Sequence, residues 1–375
     1  MPGSEVVVEW NGRPVRAWLP DPVGRTAFDL SPEAARRTER AAAAVRRAGD
    51  RLPAGWEPLA RLLLRAEGIA SSSIEGLRAP VLDVAAAELD GVGGAGDGAW
   101  VADNLAVVTQ ALAEVADGPL TVPALHRWHA RLMQHSRLDG AMVGAFRTAQ
   151  GWIGGRSPLD AVYVPPPAAE VPPLMDDLVA LANRDDLDPV TQAAVVHGQF
   201  ETIHPYGDGN GRIGRVLVLW VLARRTGVEV PPPVSVHIAR DPGGYLSGLH
   251  WFRIGEVERW VRWFAGVVEG AGHAAVEWAE EVTAVLADWR ARVADLRRDA
   301  TARKVLELLP AHPVISARVV AEEWGVSERA ARTALDQLVE RAVLQPHGAL
   351  RRGPGRPAQC WAAPALLDLV GNWAG

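Results

Sequence analysis

Cysteine is nearly missing from this sequence: Cys360 is the only one. A single thiol excludes an internal disulfide and any cysteine-rich metal site. Lysine is almost as rare, with Lys304 alone among many arginines. Alongside abundant alanine, glycine and proline this reads as coding bias, so arginine number by itself carries no functional weight. A strong excess of either charge is also lacking. The formal net charge of −6 over 375 residues offers no bulk attraction for a polyanion, and any nucleic-acid contact needs a local patch. The longest apolar run, residues 216–223, is far short of a bilayer span and lies between arginines. The N-terminus lacks the basic-then-apolar pattern of a secretory signal. Together these absences lead to the expectation of a soluble protein in a reducing cytoplasm.

Apolar residues are plentiful, at 48%, and the length suits two or three domains. Two short apolar runs around Asn11-Gly12 predict a β-hairpin. Helical periodicity covers 31–70 and resumes at 80–89, 100–115 and 122–135. The segment "GVGGAGDG" (91–98) contains G-x-G-x-x-G, but it follows a helical pattern and not a strand, so a surface loop is expected. The Gly- and Pro-rich "GAFRTAQGWIGGRSPLDAVYVPPP" reads as a β-hairpin or extended flap. Helices return between 171 and 263.

From residue 301 three short helices (301–309, 316–324 and 327–341), with a turn at Gly325, precede an arginine-rich stretch that reads as two strands. That is the order of a winged helix, and a long helix around 267–298 would connect it. The expected organisation is an N-terminal region (1–110) holding a helix at about 60–76, a core (111–270), a linker helix (271–300) and a winged-helix domain (301–375).

The string "HPYGDGNGRIGR" concentrates chemistry. Pro205 disfavours helix at His204, so the helix over 191–203 should end there. The Asp208-Gly209 and Asn210-Gly211 pairs allow positive φ and close backbone approach to a ligand. From Gly211 the helical period resumes, so the turn feeds a helix N-terminus, where free N–H groups favour an anion. Arg212 and Arg215 share that first turn's face, and positive charge there is poorly placed unless an anion sits beside it. An anion cradle, a histidine and one carboxylate able to hold a divalent cation suit transfer of a phosphate-linked group to a hydroxyl. His197 lies seven residues before His204, about 10.5 Å along a helix, too far for one shared ion; a buried, hydrogen-bonded histidine is expected.

The string resembles the signature of the Fic family, H-P-[F]-x-[D/E]-G-N-G-R-x-x-R. His204, Pro205, Asp208, Gly209, Asn210, Gly211, Arg212 and Arg215 match, while Tyr206 replaces the usual Phe and keeps the ring. The likeness extends over about 25–270 through "AVVHGQFETI", "GAFR", "YVPPP", "VPPLMDDLVALAN", "YLSGL" and "WVRWF". It implies a mainly α, Fic-type helical core with a β-hairpin flap that holds a target segment by β-augmentation. It further implies His204 as general base for a Ser, Thr or Tyr hydroxyl of a target protein attacking the α-phosphate of ATP. Asp208 would hold Mg²⁺, Gly209, Asn210 and Gly211 would line the anion hole, Arg212 would clamp phosphate, and Arg215 would reach the γ-phosphate.

Upstream, "SSSIEGL" reads alone as a capped helix end. It resembles the family's inhibitory pattern [S/T]-x-x-x-E-[G/N], with Ser71, Glu75 and Gly76 in the matching places. The resemblance implies a Glu75–Arg215 pair that blocks the γ-phosphate. Removal of AMP from a modified protein, with the same Glu orienting a water, is the reverse reading. A third is a DNA-binding regulator with a nucleotide-sensing Fic domain, in which Arg329 and Arg332 face DNA beside a patch of Arg341, Arg351, Arg352 and Arg356, and "GRP" (355–357) enters a minor groove. Glu322, Glu323, Glu328, Asp336 and Glu340 dilute that patch. Family members often dimerise, so a homodimer is a further possible assembly.

Overall fold

The computed structural model describes residues 3–51, 57–90, 96–350 and 358–375. Residues 91–95 of the glycine-rich segment, and Arg351, Arg352, Arg356 and the GRP tripeptide, lie outside the described residues.

Strands β1 (Gly3–Trp10) and β2 (Arg13–Pro20) pair antiparallel, with Trp10 opposite Arg13. Asn11 and Gly12 both take positive φ (51° and 74°), which suits the two-residue turn of a right-twisted hairpin. Helix α1 (Pro32–Asp50) buries Ala34, Ala41, Ala44, Val45 and Ala48, one apolar stripe at helical spacing. Helices α2 (Glu57–Ile74), α3 (Val81–Asp90) and α4 (Asp97–Ala113) follow.

Helix α5 (Val122–Leu132) begins at Thr121, whose Oγ1 accepts the Ala124 N–H at 3.3 Å, a normal side-chain cap. After the flap comes α6 (Val171–Ala182), then α7 (Pro189–Ile203), capped by the Asp188 carboxylate, which accepts from Val190 (3.0 Å) and Thr191 (2.8 Å). Helix α8 (Asn210–Thr226) packs on α7, and both are buried along nearly their whole length. A helix buried on all sides shows little amphipathic signal, and these two form the centre of the core. Helices α9 (Val234–Arg240), α10 (Pro242–Arg253) and the 36-residue α11 (Val257–Arg292) close this part of the chain.

The C-terminal elements are α12 (Thr301–Leu308), β3 (Val314–Ser316), α13 (Ala317–Trp324), α14 (Glu328–Glu340), β4 (Gln345–Leu350), β5 (Ala358–Ala362) and α15 (Pro364–Ala374). The strands form an antiparallel sheet in the order β3-β5-β4. Gly325 closes α13 in the left-handed region, and the Ser316 and Ser327 hydroxyls cap α13 and α14. The long helix read over 267–298 starts ten residues earlier and ends at Arg292. Strand β3 and helix α15 were not legible.

Among the described residues the fold is mainly helical with two small antiparallel sheets. It divides into two compact units: Met1–Gly49 with Ala106–His273, and Asp50–Leu105 with Ala274–Gly375. In the second unit α2 and α3 pack with the C-terminal elements. Arg65 on α2 is 1% exposed, forks onto the Glu88 carboxylate at 2.6 and 3.0 Å, and donates to Ala311 O at 3.1 Å. Ala85 and Ala86 of α3 share an apolar cluster with Val314, Cys360 and Ala362. Among the described residues no helix is long and apolar enough to cross a membrane.

Candidate active site

In the first unit, α7 and α8 are joined by the loop that carries the motif. His204 is the C-cap of α7 and stands in the left-handed region, φ 49° and ψ 63°. Pro205 was expected to end the helix there, and it does. The conformation is left-handed, however, and not the extended one that a following proline favours. His204 is half-buried.

Asn210 staples the loop. Its buried side chain accepts the Tyr206 N–H and donates to Tyr206 O, both at 2.8 Å. Its amide side chain therefore holds the backbone of the turn. Gly209 is the N-cap of α8 at φ 75°, with no side-chain cap bond. The positive φ is what favours glycine there; a Cβ would also press on the Leu132 and Met133 side chains at 3.1 Å. The first N–H groups of α8 have no partner four residues back. Arg212 and Arg215 are buried on the same helix. Asp208 Oδ1 accepts the Gly209 N–H at 2.6 Å and lies 3.8 Å from Arg212 Nη2, while its side chain stays 61% exposed.

Residues that the sequence reading did not single out hold this loop. His129 is fully buried on α5. Its Nδ1 accepts the Gly144 N–H at 2.9 Å, which fixes the proton on Nε2; that nitrogen donates to Asp208 O at 3.1 Å. The ring stacks on Tyr206 at 3.9 Å between centroids, and the Tyr206 hydroxyl meets His126 Nδ1 at 3.3 Å. The extra oxygen of Tyr206 thus has a partner. Arg147, from "GAFR", donates to the carbonyl of His204 at 2.9 Å. Spacing could not have revealed these, because His129 and Arg147 act on backbone atoms far along the chain.

The flap is a narrow pair. Ile153 N–H donates to Tyr163 O at 2.8 Å, and Tyr163 N–H returns to Ile153 O at 3.2 Å. Gly154 and Gly155 turn at φ 69° and 70°. β2 joins it through Trp18 N–H to Val164 O (2.9 Å), and Trp10 packs edge-on against Trp152. His197 proves fully buried, with Nε2 2.9 Å from the Tyr245 hydroxyl. Ser71, Glu75 and Gly76 belong to the second unit. There α2 ends at Ile74, and Gly76 turns at φ 81° with its N–H on Ser73 O. Asn104 Nδ2 donates to Ser72 Oγ (3.3 Å) and Gly68 O (3.1 Å), tying that helix end to α4.

Residues 119–222, which span α5 to α8 and the motif loop, match the family model described as the Fic/DOC family. The chain carries a Fic domain. Protein adenylyltransferase fic-1 of Caenorhabditis briggsae is 27% identical over 146 residues, which is 39% of this chain and 27% of that protein. Protein adenylyltransferase Fic of Culex quinquefasciatus is 29% identical over 153 residues, 40% of this chain and 28% of that protein. The matches therefore span little more than a quarter of these relatives' length. A Fic family protein from Desulfovibrio desulfuricans G20 shares the fold at a TM-score of 0.56, with 21% identity, 90% of this chain covered and 97% of that one.

Burial pulls the imidazoles of His129 and His237 down to about 4, and burial with the nearby Arg215 charge pulls His197 to about 3. The unfolded chain takes up protons on these rings near pH 6.5, whereas the folded chain resists until about pH 4. Between those values the unfolded state binds more protons, so stability rises with pH and is lost on acidification. Urea denaturation at steps from pH 7 to pH 4.5 should show stability level above about pH 6.5 and falling below it. A profile that stays level to pH 4.5 would contradict the neutral, buried state of these three rings.

Proposed function

We infer that this protein transfers AMP from ATP to a hydroxyl of a target protein. One observation carries the reading: an imidazole at the end of α7 is set across a short loop with two glycines, Gly207 and Gly209, from the N-terminus of α8, which has no side-chain cap and bears two buried arginines. In this reading the hydroxyl oxygen attacks the α-phosphorus, His204 takes the hydroxyl proton, and the bond to pyrophosphate breaks. Arg212, Arg215 and the first N–H groups of α8 stabilise the charge on the phosphate oxygens. A divalent cation fits the donor set, since Asp208 offers one solvent-facing carboxylate and Mg²⁺ takes one or two protein oxygens and completes its shell with phosphate and water. When bound it would neutralise phosphate charge.

Glu75 restrains the reaction in this reading, by competing with the γ-phosphate for Arg215. The Glu75→Gly protein, incubated with Mg²⁺, ATP and cell extract as target, should then transfer label from the α-phosphate but not from the γ-phosphate, and faster than wild type by at least about tenfold. Transfer of γ-label would make it a kinase. Absence of α-label in both proteins would remove the reading.

A second reading rests on the C-terminal elements. Their order, helix-strand-helix-helix-strand-strand, the β3-β5-β4 sheet and the exposed Arg329 and Arg332 on α14 support a DNA-binding winged helix. Sequence-specific DNA binding that survives His204→Ala, without transfer by the Glu75 variant, would favour it.

A further inference from the structure

The last carbonyls of α7 have no helical partner, and Pro205 has no N–H to offer them. They are satisfied from the flap. Tyr163 donates its hydroxyl to Thr202 O at 2.7 Å. The Arg147 guanidinium donates to His204 O at 2.9 Å and Ile203 O at 3.4 Å. The same group reaches Ala149 O at 3.0 Å and Pro166 O at 2.6 Å, at the two ends of the flap. Its main-chain N–H binds Pro205 O at 2.9 Å. One residue therefore ties both flap ends to the backbone on either side of His204.

Arg147 is 5% exposed, and its four side-chain acceptors are all carbonyls. Burying a guanidinium without a carboxylate is unfavourable, and desolvation pulls its pKa down to about 10. An apolar side chain would fill this space without that cost. What an apolar side chain could not do is hold His204 at φ 49°, a conformation that persists in a non-glycine residue only where the surroundings over-determine it.

We propose that Arg147 is a positioning residue for His204: its planar fork locks the backbone of the base to both ends of the flap, so that a hydroxyl delivered along the flap meets the imidazole in a single geometry. This rests on His204 being the base.

The test uses Arg147→Lys and Arg147→Ala in the Glu75→Gly protein, with three readouts. These are the ring NMR resonances of His204, the Kd for ATP with Mg²⁺, and the rate of α-label transfer. The expected result is shifted or broadened His204 resonances in both variants, ATP affinity within about twofold of the parent, and transfer about 100-fold slower, as an ångström-scale misplacement would give. Lysine keeps the charge but lacks the fork, so it should not restore the rate. Added guanidinium chloride at non-denaturing concentration should partly restore it in Arg147→Ala. His204 resonances unchanged in the folded Lys variant would overturn the proposal, as would loss of ATP affinity in step with rate. If the Glu75→Gly parent transfers nothing, the catalytic reading fails, and the His204 resonances still decide whether Arg147 sets that residue.

Discussion

Replacing His204 with alanine in the Glu75→Gly background should slow AMP transfer by about 10²–10⁴-fold, the usual contribution of a positioned general base. The Kd for ATP should stay within about twofold, because the anion-facing groups begin one loop later, at Gly209, and Asn210 holds that turn through Tyr206 and not through the histidine. The two parts are also anchored separately. Arg147 fixes the carbonyl of His204, whereas His129 fixes the carbonyl of Asp208. Calorimetric titration with ATP beside a rate measurement with α-labelled ATP separates them. Transfer that survives the substitution would remove His204 as the base, and a parallel collapse of affinity would mean that the loop itself had refolded.

Gly214→Ala should destabilise the first unit by about 2 kcal/mol, in the range of an overpacked core, despite alanine's advantage of about 1 kcal/mol inside a helix. The new Cβ would stand 2.5 Å from Glu201 Oε1 and 3.0 Å from His197 Nδ1. The His197 ring is held in place, and the buried Glu201 carboxylate has to swing away. Glu201 and His197 are buried on α7, and the His197 ring is bonded to Tyr245 and stacked near Trp260. Because Arg215 follows directly, transfer should fall as well. Adding Glu201→Ala removes the closest contact, so the double variant should be less destabilised than the two single losses added together. Strict additivity in urea denaturation would show that the contact with Glu201 is not the source.

The motif loop was legible because its information is local. Proline and glycine report backbone geometry directly, and the positions of the α7 end and of the turn at Gly209 follow from residue type alone. The Asn11-Gly12 hairpin and the Ser316, Ser327 and Gly325 helix boundaries were legible for the same reason. What escaped depends on distant partners. His129 and Arg147 look like ordinary polar residues until the fold brings the carbonyls of Asp208 and His204 to them. Strand β3, three residues long, is too short to show a period. The packing of α2 and α3 with the C-terminal elements joins distant stretches, with Arg65 and Ala311 246 residues apart, which no window of sequence can display.

The bonds made by Arg147 have an evolutionary consequence. Every acceptor is a main-chain carbonyl, of Ala149, Pro166, Ile203, His204 or Pro205, and a carbonyl is present whatever side chain its residue carries. The part of the tie that Arg147 makes is therefore indifferent to the side chains of the residues that accept from it. Apart from Tyr163, which bonds Thr202 O, and Gly154 and Gly155, which turn at positive φ, side chains between Gln150 and Pro165 can change without loosening this tie, so on the proposed function selectivity and catalysis can be inherited separately.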